Sequence, residues 1–371
     1  MNGEKFNIIS KSPRVLVAPL DWGLGHATRC IPIINELLVL GCEVLIAANG
    51  ATKDLLQIEF PSLMFLSLRG YTIKYSRNSF WLPAKLLIQL PKLFLGIFRE
   101  NRWLQGIVQK HQVTMVISDN RPGMYHKTVP CIYITHQLHI ITGHPFTEWM
   151  TNKIHDHFIN RYTECWVPDA EDKNGLAGKL SHPTHMPGIT VKYMGPLSRF
   201  VIKEEERKYE LLILLSGPEP QRTIFEQLLL KELVKYEGRA LLVRGLPGQF
   251  HENLAIPENL EIKEHLAAVD LNKAINQSGL VICRCGYTSI MDLICLGKRA
   301  ILIPTPGQTE QEYLGGYLGH KKLFYSALQR RFSLQKALRE EENYLYDTVH
   351  LNRDGYKLVI KSFLKSHSSV T

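Results

Sequence analysis

Short apolar runs recur along the chain, each followed by a turn and then by a stretch of helical periodicity. The first is RVLVAPL (14–20), which leads through DWGLGH (21–26) into ATRCIPIINELLVLG, an apolar-periodic helix that closes at Gly41. EVLIAA (43–48), TMVISD (114–119), CIYITH (131–136) and ECWVPD (164–169), the last closed by Pro168, continue the series as strands. A second series opens with ELLILLSG (210–217) and the helix RTIFEQLLLKELVKYEG (222–238). It continues with strands ALLVRG (240–245), LVICRCG (280–286) and AILIPTP (300–306), with the helix TSIMDLICLG (288–297) between the last two. Continuous apolar strands alternating with helices predict parallel sheets covered on both faces.

A chain of 371 residues is long enough for two domains. The break falls near 197–209, where GPLSRF is followed by the charged run KEEERK. The expected division is therefore 1–197, 198–345, and a C-terminal helical tail, 346–371, packing back on the first domain. The expected architecture is α/β: two Rossmann-like domains facing one another. In open parallel sheets ligands bind beyond the carboxyl ends of the strands. The site is then expected in the cleft, on loops 20–26, 119–125, 136–145, 195–199, 216–221, 244–249, 284–288 and 304–313.

Composition is that of an ordinary globular protein, with 45% hydrophobic and 21% charged residues. The net charge of +9 changes the picture because it is uneven. Between 69 and 110, eight bases (Arg69, Lys74, Arg77, Lys85, Lys92, Arg99, Arg102, Lys110) meet one acid, Glu100. Such a field suits phosphates or an anionic surface. The most apolar window, FWLPAKLLIQLPKLFLGIF (80–98), overlaps it. Lys85, Lys92 and Gln89, with Pro83 and Pro91 expected to break the helix, argue against a membrane span. The segment 77–102 reads instead as lying on an anionic membrane surface. No nucleic-acid module is recognisable. Seven cysteines without framework spacing, and an opening MNGEKFNIISKSPR with no apolar signal segment, point to a cytoplasmic protein, which the segment 77–102 would hold peripherally on the cytoplasmic face of the inner membrane.

Several loops carry chemistry. Gly23-Leu-Gly25-His26-Ala-Thr28 is a partial G-x-G-x-x-G, but the second strand ends Ala47-Ala48-Asn49 without the acid that NAD binding wants. What remains is a tight turn that brings a ligand to the positive end of a helix. His26 in the first turn can stay neutral and accept a proton; alone it also reads as a capping histidine. Asp119 ends its strand as a candidate cleft carboxylate or an Asx turn. Ser216-Gly217 offers a hydroxyl and free N–H groups to a phosphate. Arg284-Cys285-Gly286-Tyr-Thr288 joins strand to helix, with Asp292 one turn inside and able to hold both hydroxyls of a ribose. PTPGQTEQE (304–312) supplies Gln308, Glu310, Gln311 and Glu312 for sugar hydroxyls. His136 and His139 stand at helical spacing, yet no carboxylate or cysteine set is spaced with them, Cys283 and Cys285 lack a second pair, and no D-x-D occurs. Neither a metal nor a cofactor is therefore expected.

Together these pieces resemble the GT-B glycosyltransferases, in particular the peptidoglycan (lipid II) N-acetylglucosaminyltransferase family with its family 28-like C-terminal donor-binding domain. The resemblance covers roughly 14–320 and is strongest over CRCGYTSIMDLICLGKRAILIPTPGQTEQEYLG. GLGHATR is similar to that family's glycine loop, and GPLSRF to its interdomain segment. The resemblance implies an inverting, metal-independent transfer of a hexose or N-acetylhexosamine from a nucleotide diphosphate sugar, UDP by preference, to a lipid-linked or glycan acceptor at the membrane. It implies Arg199 on the diphosphate, lined by Ser216 and Gly217, and Asp292 on the ribose. Gln311 and Glu312 would read the sugar, Leu271 would flank the base, and Arg284, Cys285, Gly286 and Thr288 would complete the donor loop. His26 is expected as the base with Asp119 as the alternative, and Gly23, Gly25 and His136 on the acceptor side. Two departures stand out: Glu312 replaces an amide, and the family's Gly-Gly-Ser turn is Ser-Gly-Pro. A GT-B-shaped epimerase and a non-catalytic donor-binding or membrane-docking partner are the competing readings.

Overall fold

The computed structural model describes residues 12–71, 82–172, 175–246 and 257–367, with residues 82–90 as backbone only. The first sheet has seven strands: β1 (Arg14–Pro19), β2 (Glu43–Ala48), β3 (Met64–Ser67), β4 (Met115–Asp119), β5 (Cys131–Ile134), β6 (Glu164–Val167) and β7 (Thr190–Tyr193). Their spatial order is β3-β2-β1-β4-β5-β6-β7, all parallel. Helices α1 (Leu24–Val39), α2 (Gly50–Glu59), α3 (Leu82–His111) and α4 (Pro145–Ile159) connect them. The second sheet has six: β8 (Tyr209–Leu214), β9 (Ala240–Val243), β10 (Leu260–Lys263), β11 (Ser278–Cys283), β12 (Ala300–Leu302) and β13 (Tyr325–Ser326). Their order β10-β9-β8-β11-β12-β13 is also all parallel. Helices α5 (Gln221–Leu233), α6 (Ala268–Asn276), α7 (Tyr287–Cys295), α8 (Thr309–His320) and α9 (Leu334–Glu342) accompany it, and α10 (Gly355–His367) ends the described chain.

Alternation explains why these sequences form two-sided sheets. In β1, Val15 and Val17 face one core with Ile46 and Ile117, while Leu16 and Ala18 face another with Leu45 and Val116. In the second sheet Leu212, Val281 and Leu302 turn one way, and Leu211, Ile282 and Ile301 the other. One core is continuous between the two domains. It runs from Val15, Ile117 and Trp166 through Leu197 to Met291, Val281 and Leu302. The domains are therefore in apolar contact. Helix α10 returns to the first domain, against α1 and β7, with the buried Phe363 ring edge-on to Trp166 at 5.5 Å.

Both sheets reverse direction at their first strand, so the switch points lie between β1 and β4 and between β8 and β11. The register places Pro19 opposite Asp119 and Cys283 opposite Leu214. The loops after these strands form the facing edges of the cleft.

Two expectations change. Residues 82–111 form one helix that runs through Pro91, instead of breaking there. Pro83 falls in its first turn, where a missing N–H costs nothing, and Pro91 removes a single interior bond. The expected helical spacing of His136 and His139 is not realised, since both follow β5 in a loop. Of the segment 77–102, residues 77–81 and the side chains of 82–90 lie outside the described residues, as do 247–249 of the loop 244–249.

Candidate functional site

The turn after β1 begins the site. Gly23 has φ +104, a conformation L side chains rarely adopt, and it precedes α1 without any side-chain cap. The N–H groups of the first turn are left for a ligand. Gly25 is required for a different reason: a Cβ there would lie 2.9 Å from Thr288 Oγ1 of the second domain. Thr288 Oγ1 donates to the Gly25 carbonyl at 3.3 Å. The starts of α1 and α7 therefore abut across the cleft. Gly286, which caps α7, likewise provides no side-chain cap.

His26 lies in the first turn of α1 and retains 16% side-chain exposure. Its Nδ1 lies 3.0 Å from Asp119 Oδ2. Asp119 is fully buried and accepts a forked pair of bonds from Arg29, from Nε at 2.8 Å and from Nη2. Burial alone would raise the Asp119 carboxyl, but Arg29 and His26 hold it down at about 2. Burial, with the nearby Arg29 charge, lowers His26 below its ordinary value despite Asp119. The histidine is accordingly neutral at neutral pH. Arg29, three residues beyond His26 on the same helix face, went unremarked in the sequence; the i, i+3 spacing was the available signal.

A second layer crosses the cleft. His136 Nε2 lies 2.8 Å from Glu310 Oε1, at the first turn of α8. The His136 ring stacks on Tyr287 with centroids 4.2 Å apart, and Tyr287 donates to the Pro168 carbonyl at 2.8 Å. Thr309 donates to the Ile141 carbonyl, Tyr313 accepts from the Lys179 N–H, and Tyr317 donates to the Gly175 carbonyl. Helix α8 is thus seated on the first domain along its length. Glu310, expected among the sugar-reading groups, is paired with His136.

On the donor side, Asp292 sits one turn into α7 and accepts from Ser198 Oγ at 2.5 Å. Burial raises its carboxyl to about 7, against the pull of Ser198 and Arg199. Arg199 lies nearby, with 13% side-chain exposure and, among the described residues, one ion pair at 3.7 Å, to Glu59. Its buried Nε has no hydrogen-bond partner among the described residues, and burial lowers its pKa. A cation so poorly compensated suits an anion. Ser216 and Gly217 are exposed after β8, Gly217 at φ +104. Leu271 is half-buried on α6. Arg284 is 1% exposed; it bonds Gln329 Oε1 at 2.6 Å and the Gln221 carbonyl at 2.9 Å, and stacks over Phe225. Cys285 is fully buried. Gln311 accepts from the Thr305 N–H at 2.9 Å, and Glu312 from the Gly307 N–H at 2.8 Å. Both therefore brace the turn after β12. His139 pairs with Glu148 at 2.9 Å.

Two parallel sheets of Rossmann order, packed together with polar groups of both at the junction of their switch points, define the GT-B fold. The chain is a GT-B glycosyltransferase. Residues 249–344, within the second domain, match the glycosyltransferase family 28 C-terminal domain. The chain is 26% identical over 363 residues, 94% of its length and 92% of the relative's, to the UDP-N-acetylglucosamine–N-acetylmuramyl-(pentapeptide) pyrophosphoryl-undecaprenol N-acetylglucosamine transferase of Haemophilus ducreyi. Among solved structures it is similar to MurG of Acinetobacter baumannii, at 12% identity and a TM-score of 0.53 over 97% of this chain and all of that one. It is also similar to the glycosyltransferase SnogD of Streptomyces nogalater, at 13% identity and a TM-score of 0.61 over 96% of this chain and all of that one.

Proposed function

We propose that the protein is an inverting, metal-independent glycosyltransferase that moves a hexose or N-acetylhexosamine from a UDP-sugar to a lipid-linked or glycan acceptor at a membrane surface. The observation that carries this reading is His26 itself. It is a neutral imidazole held by a buried carboxylate, at an uncapped helix start that abuts a second uncapped helix start from the donor domain.

In this reading His26 Nδ1–H donates to Asp119, leaving Nε2 to remove the proton of the acceptor hydroxyl. The hydroxyl oxygen attacks the anomeric carbon from the face opposite the leaving group, and the nucleoside diphosphate departs with its electron pair. Asp119, fully buried and paired twice, orients the imidazole and stabilises the imidazolium without itself reaching a substrate. The free N–H groups of the helix starts and the guanidinium of Arg199 stabilise charge growing on the diphosphate, the work a cation would otherwise do. Asp292 faces the ribose, with Ser198 orienting it. Arg284 and Cys285 support the donor loop from beneath. Ser216 and Gly217 remain at the diphosphate, Leu271 at the base, and Gln311 and Glu312 shape the sugar pocket through the turn they brace.

The relative from Haemophilus ducreyi uses a UDP-sugar and a lipid-linked diphosphate acceptor, as its name states. The described part of α3 presents exposed Phe94, Leu95 and Phe98 among exposed Lys92, Arg99 and Arg102. Phe146 and Trp149 on α4 are exposed as well, and α4, which follows the cleft loop after β5, meets α3 where the Phe158 ring lies 6.0 Å from that of Phe94. Apolar rings framed by cations suit the cytoplasmic face of an anionic membrane. Among the described residues no helix is long and apolar enough to cross one.

Thermal unfolding in the presence of UDP-, GDP- and dTDP-sugars tests the donor, because a ligand that binds the native state raises its melting temperature. A UDP-sugar should stabilise the wild type, and Arg199→Ala and Asp292→Ala should lose the response. Stabilisation by UDP-sugar undiminished in both variants would remove the donor site from this place. Turnover surviving in His26→Ala with donor bound would remove the base.

A further inference from the structure

Trp22 stands in the turn between β1 and α1, four residues before His26, and is 41% exposed. Four residues of chain span at most about 14 Å, so the indole and the imidazole share one neighbourhood. A single exposed apolar ring is ordinary at a protein surface. A ring held still by buried polar groups is not, because such groups cost free energy to bury and are tolerated where they fix a geometry. Trp22 is of the second kind.

Its Nε1 donates to the Tyr71 carbonyl at 3.1 Å, and the two rings meet edge to face, with centroids 6.3 Å apart and planes at 78°. Tyr71 is in turn clamped to α3. A Cβ on Gly96 would lie 3.0 Å from the Tyr71 ring, so that ring packs on bare helix backbone. Burial pushes the Tyr71 phenol far above its ordinary range, and the neutral hydroxyl donates to Glu100. Glu100 is buried and also accepts from Arg121 Nη1 at 2.8 Å and from the Gly123 N–H at 2.9 Å. The fully buried Arg121 reaches the Pro19 carbonyl at 2.8 Å and Asp21 Oδ1 at 3.4 Å. One network therefore ties the turn down at Pro19, Asp21 and Trp22.

An edge-to-face pair covers at most one face of the indole, whichever ring presents its edge, so Tyr71 leaves the other face uncovered. The mount also joins two regions. Through Tyr71 the indole connects to the stretch of α3 that carries exposed Phe94, Leu95 and Phe98. Through Gly23 it connects to the helix start that holds His26. A pyranose has an apolar face of C–H groups and a rim of hydroxyls, and an aromatic wall suits that face. A bare lipid alcohol or lipid phosphate has no such face. We propose that Trp22 is the stacking platform for the sugar ring of the acceptor: the indole bears the apolar face of a pyranose whose hydroxyl is turned to His26, while α3 bears the apolar carrier. This inference rests on the transferase reading of the site and commits its acceptor to a saccharide.

The test is fluorine NMR of the full chain labelled with 5-fluorotryptophan, the Trp22 signal being the one of five that is missing from Trp22→Phe. The probes are octyl glucoside, octyl galactoside and octyl N-acetylglucosaminide, with octyl phosphate as the same chain without a ring. At least one pyranoside should move the Trp22 signal saturably, and octyl phosphate should leave it in place. Equilibrium titration with that pyranoside should show binding weakened about tenfold in Trp22→Ala and Trp22→Leu, and near the wild-type value in Trp22→Phe, which keeps a ring. A signal that no pyranoside moves, or that octyl phosphate moves as far, overturns the inference. Movement of the same size by phosphatidylglycerol vesicles overturns it in favour of a membrane contact, and Leu binding as well as Phe overturns the stacking. Each of these results leaves the donor site standing, because stabilisation of the wild type by UDP-sugar, and its loss in Arg199→Ala, is judged separately.

Discussion

Replacing Gly25 by Ala should separate stability from activity. The new Cβ would sit 2.9 Å from Thr288 Oγ1 and 3.5 Å from Thr288 Cβ. The closer contact falls several tenths of an ångström inside a normal approach, and the partner belongs to the other domain. The weak bond from Thr288 to the Gly25 carbonyl, now 3.3 Å, would stretch and be lost, at a cost of about 0.5–1 kcal/mol. Against this, alanine is the better helix former by up to about 1 kcal/mol. The two terms nearly cancel, so thermal unfolding should show a melting temperature within a few degrees of wild type. Catalysis does not share in the compensation. If α1 and α7 are held apart by a fraction of an ångström, attacking and leaving groups lose alignment, and turnover should fall about tenfold or more. Steady-state transfer and thermal unfolding of Gly25→Ala, Thr288→Ala and the double variant form a cycle. Because Thr288→Ala removes the atom in the way, the double variant should regain activity relative to the product of the single effects. Wild-type turnover in Gly25→Ala, or strict additivity in the cycle, would refute the argument that closure of this contact governs the reaction.

Three further outcomes are expected. Asp119→Asn leaves Arg29, 2% exposed, without its counter-charge and should cost about 3–5 kcal/mol in urea unfolding. Because the Asp119 carboxyl is held at about 2, its contribution is present above about pH 4 and shrinks as the pH falls toward 2, so the gap between wild type and variant should narrow there. Asp292→Asn has the opposite sign. A carboxyl raised to about 7 binds a proton in the folded state that the unfolded chain has released, so wild-type stability declines as the pH rises from about 4 to 7. The variant should gain on the order of 2 kcal/mol at about pH 8 relative to about pH 3, about half the full value for a half-buried group, and a pH-independent difference would contradict this. Phe363→Ala, which empties a fully buried site against Trp166, should cost about 3–5 kcal/mol by denaturant titration, and a loss below about 1 kcal/mol would mean that α10 is not held by that ring.

The central strands were readable because β1, β2, β4, β5, β6, β8, β9, β11 and β12 are apolar on both faces, which leaves unbroken hydrophobic runs. The edge strands β3, β7, β10 and β13 were not, because they are partly exposed and carry mixed sequences such as TVKY and LEIK. The loops that form the cleft followed from the ends of the strands, and His26 and Asp119 could be named one by one. Their pairing could not, since it depends on the register that sets Pro19 beside Asp119, a contact between residues a hundred positions apart. The engagement of Glu310 with His136 spans both domains and has no local signature. Arg284 shows the converse: an arginine in a donor-like motif invites a ligand reading, yet stacking on Phe225 and bonding to Gln329 place it inside the second domain.

The return of α10 to the first domain gives the polypeptide two crossings between the lobes, one before β8 and one before α10. The donor-binding half is therefore topologically an insertion, not an appendage. Two tethers resist twisting and favour a swing about the line that joins them. An engineer who exchanges this half for that of another transferase must cut in two places, because a single junction would pair the new lobe with a foreign closing helix and leave Trp166 without its native neighbour.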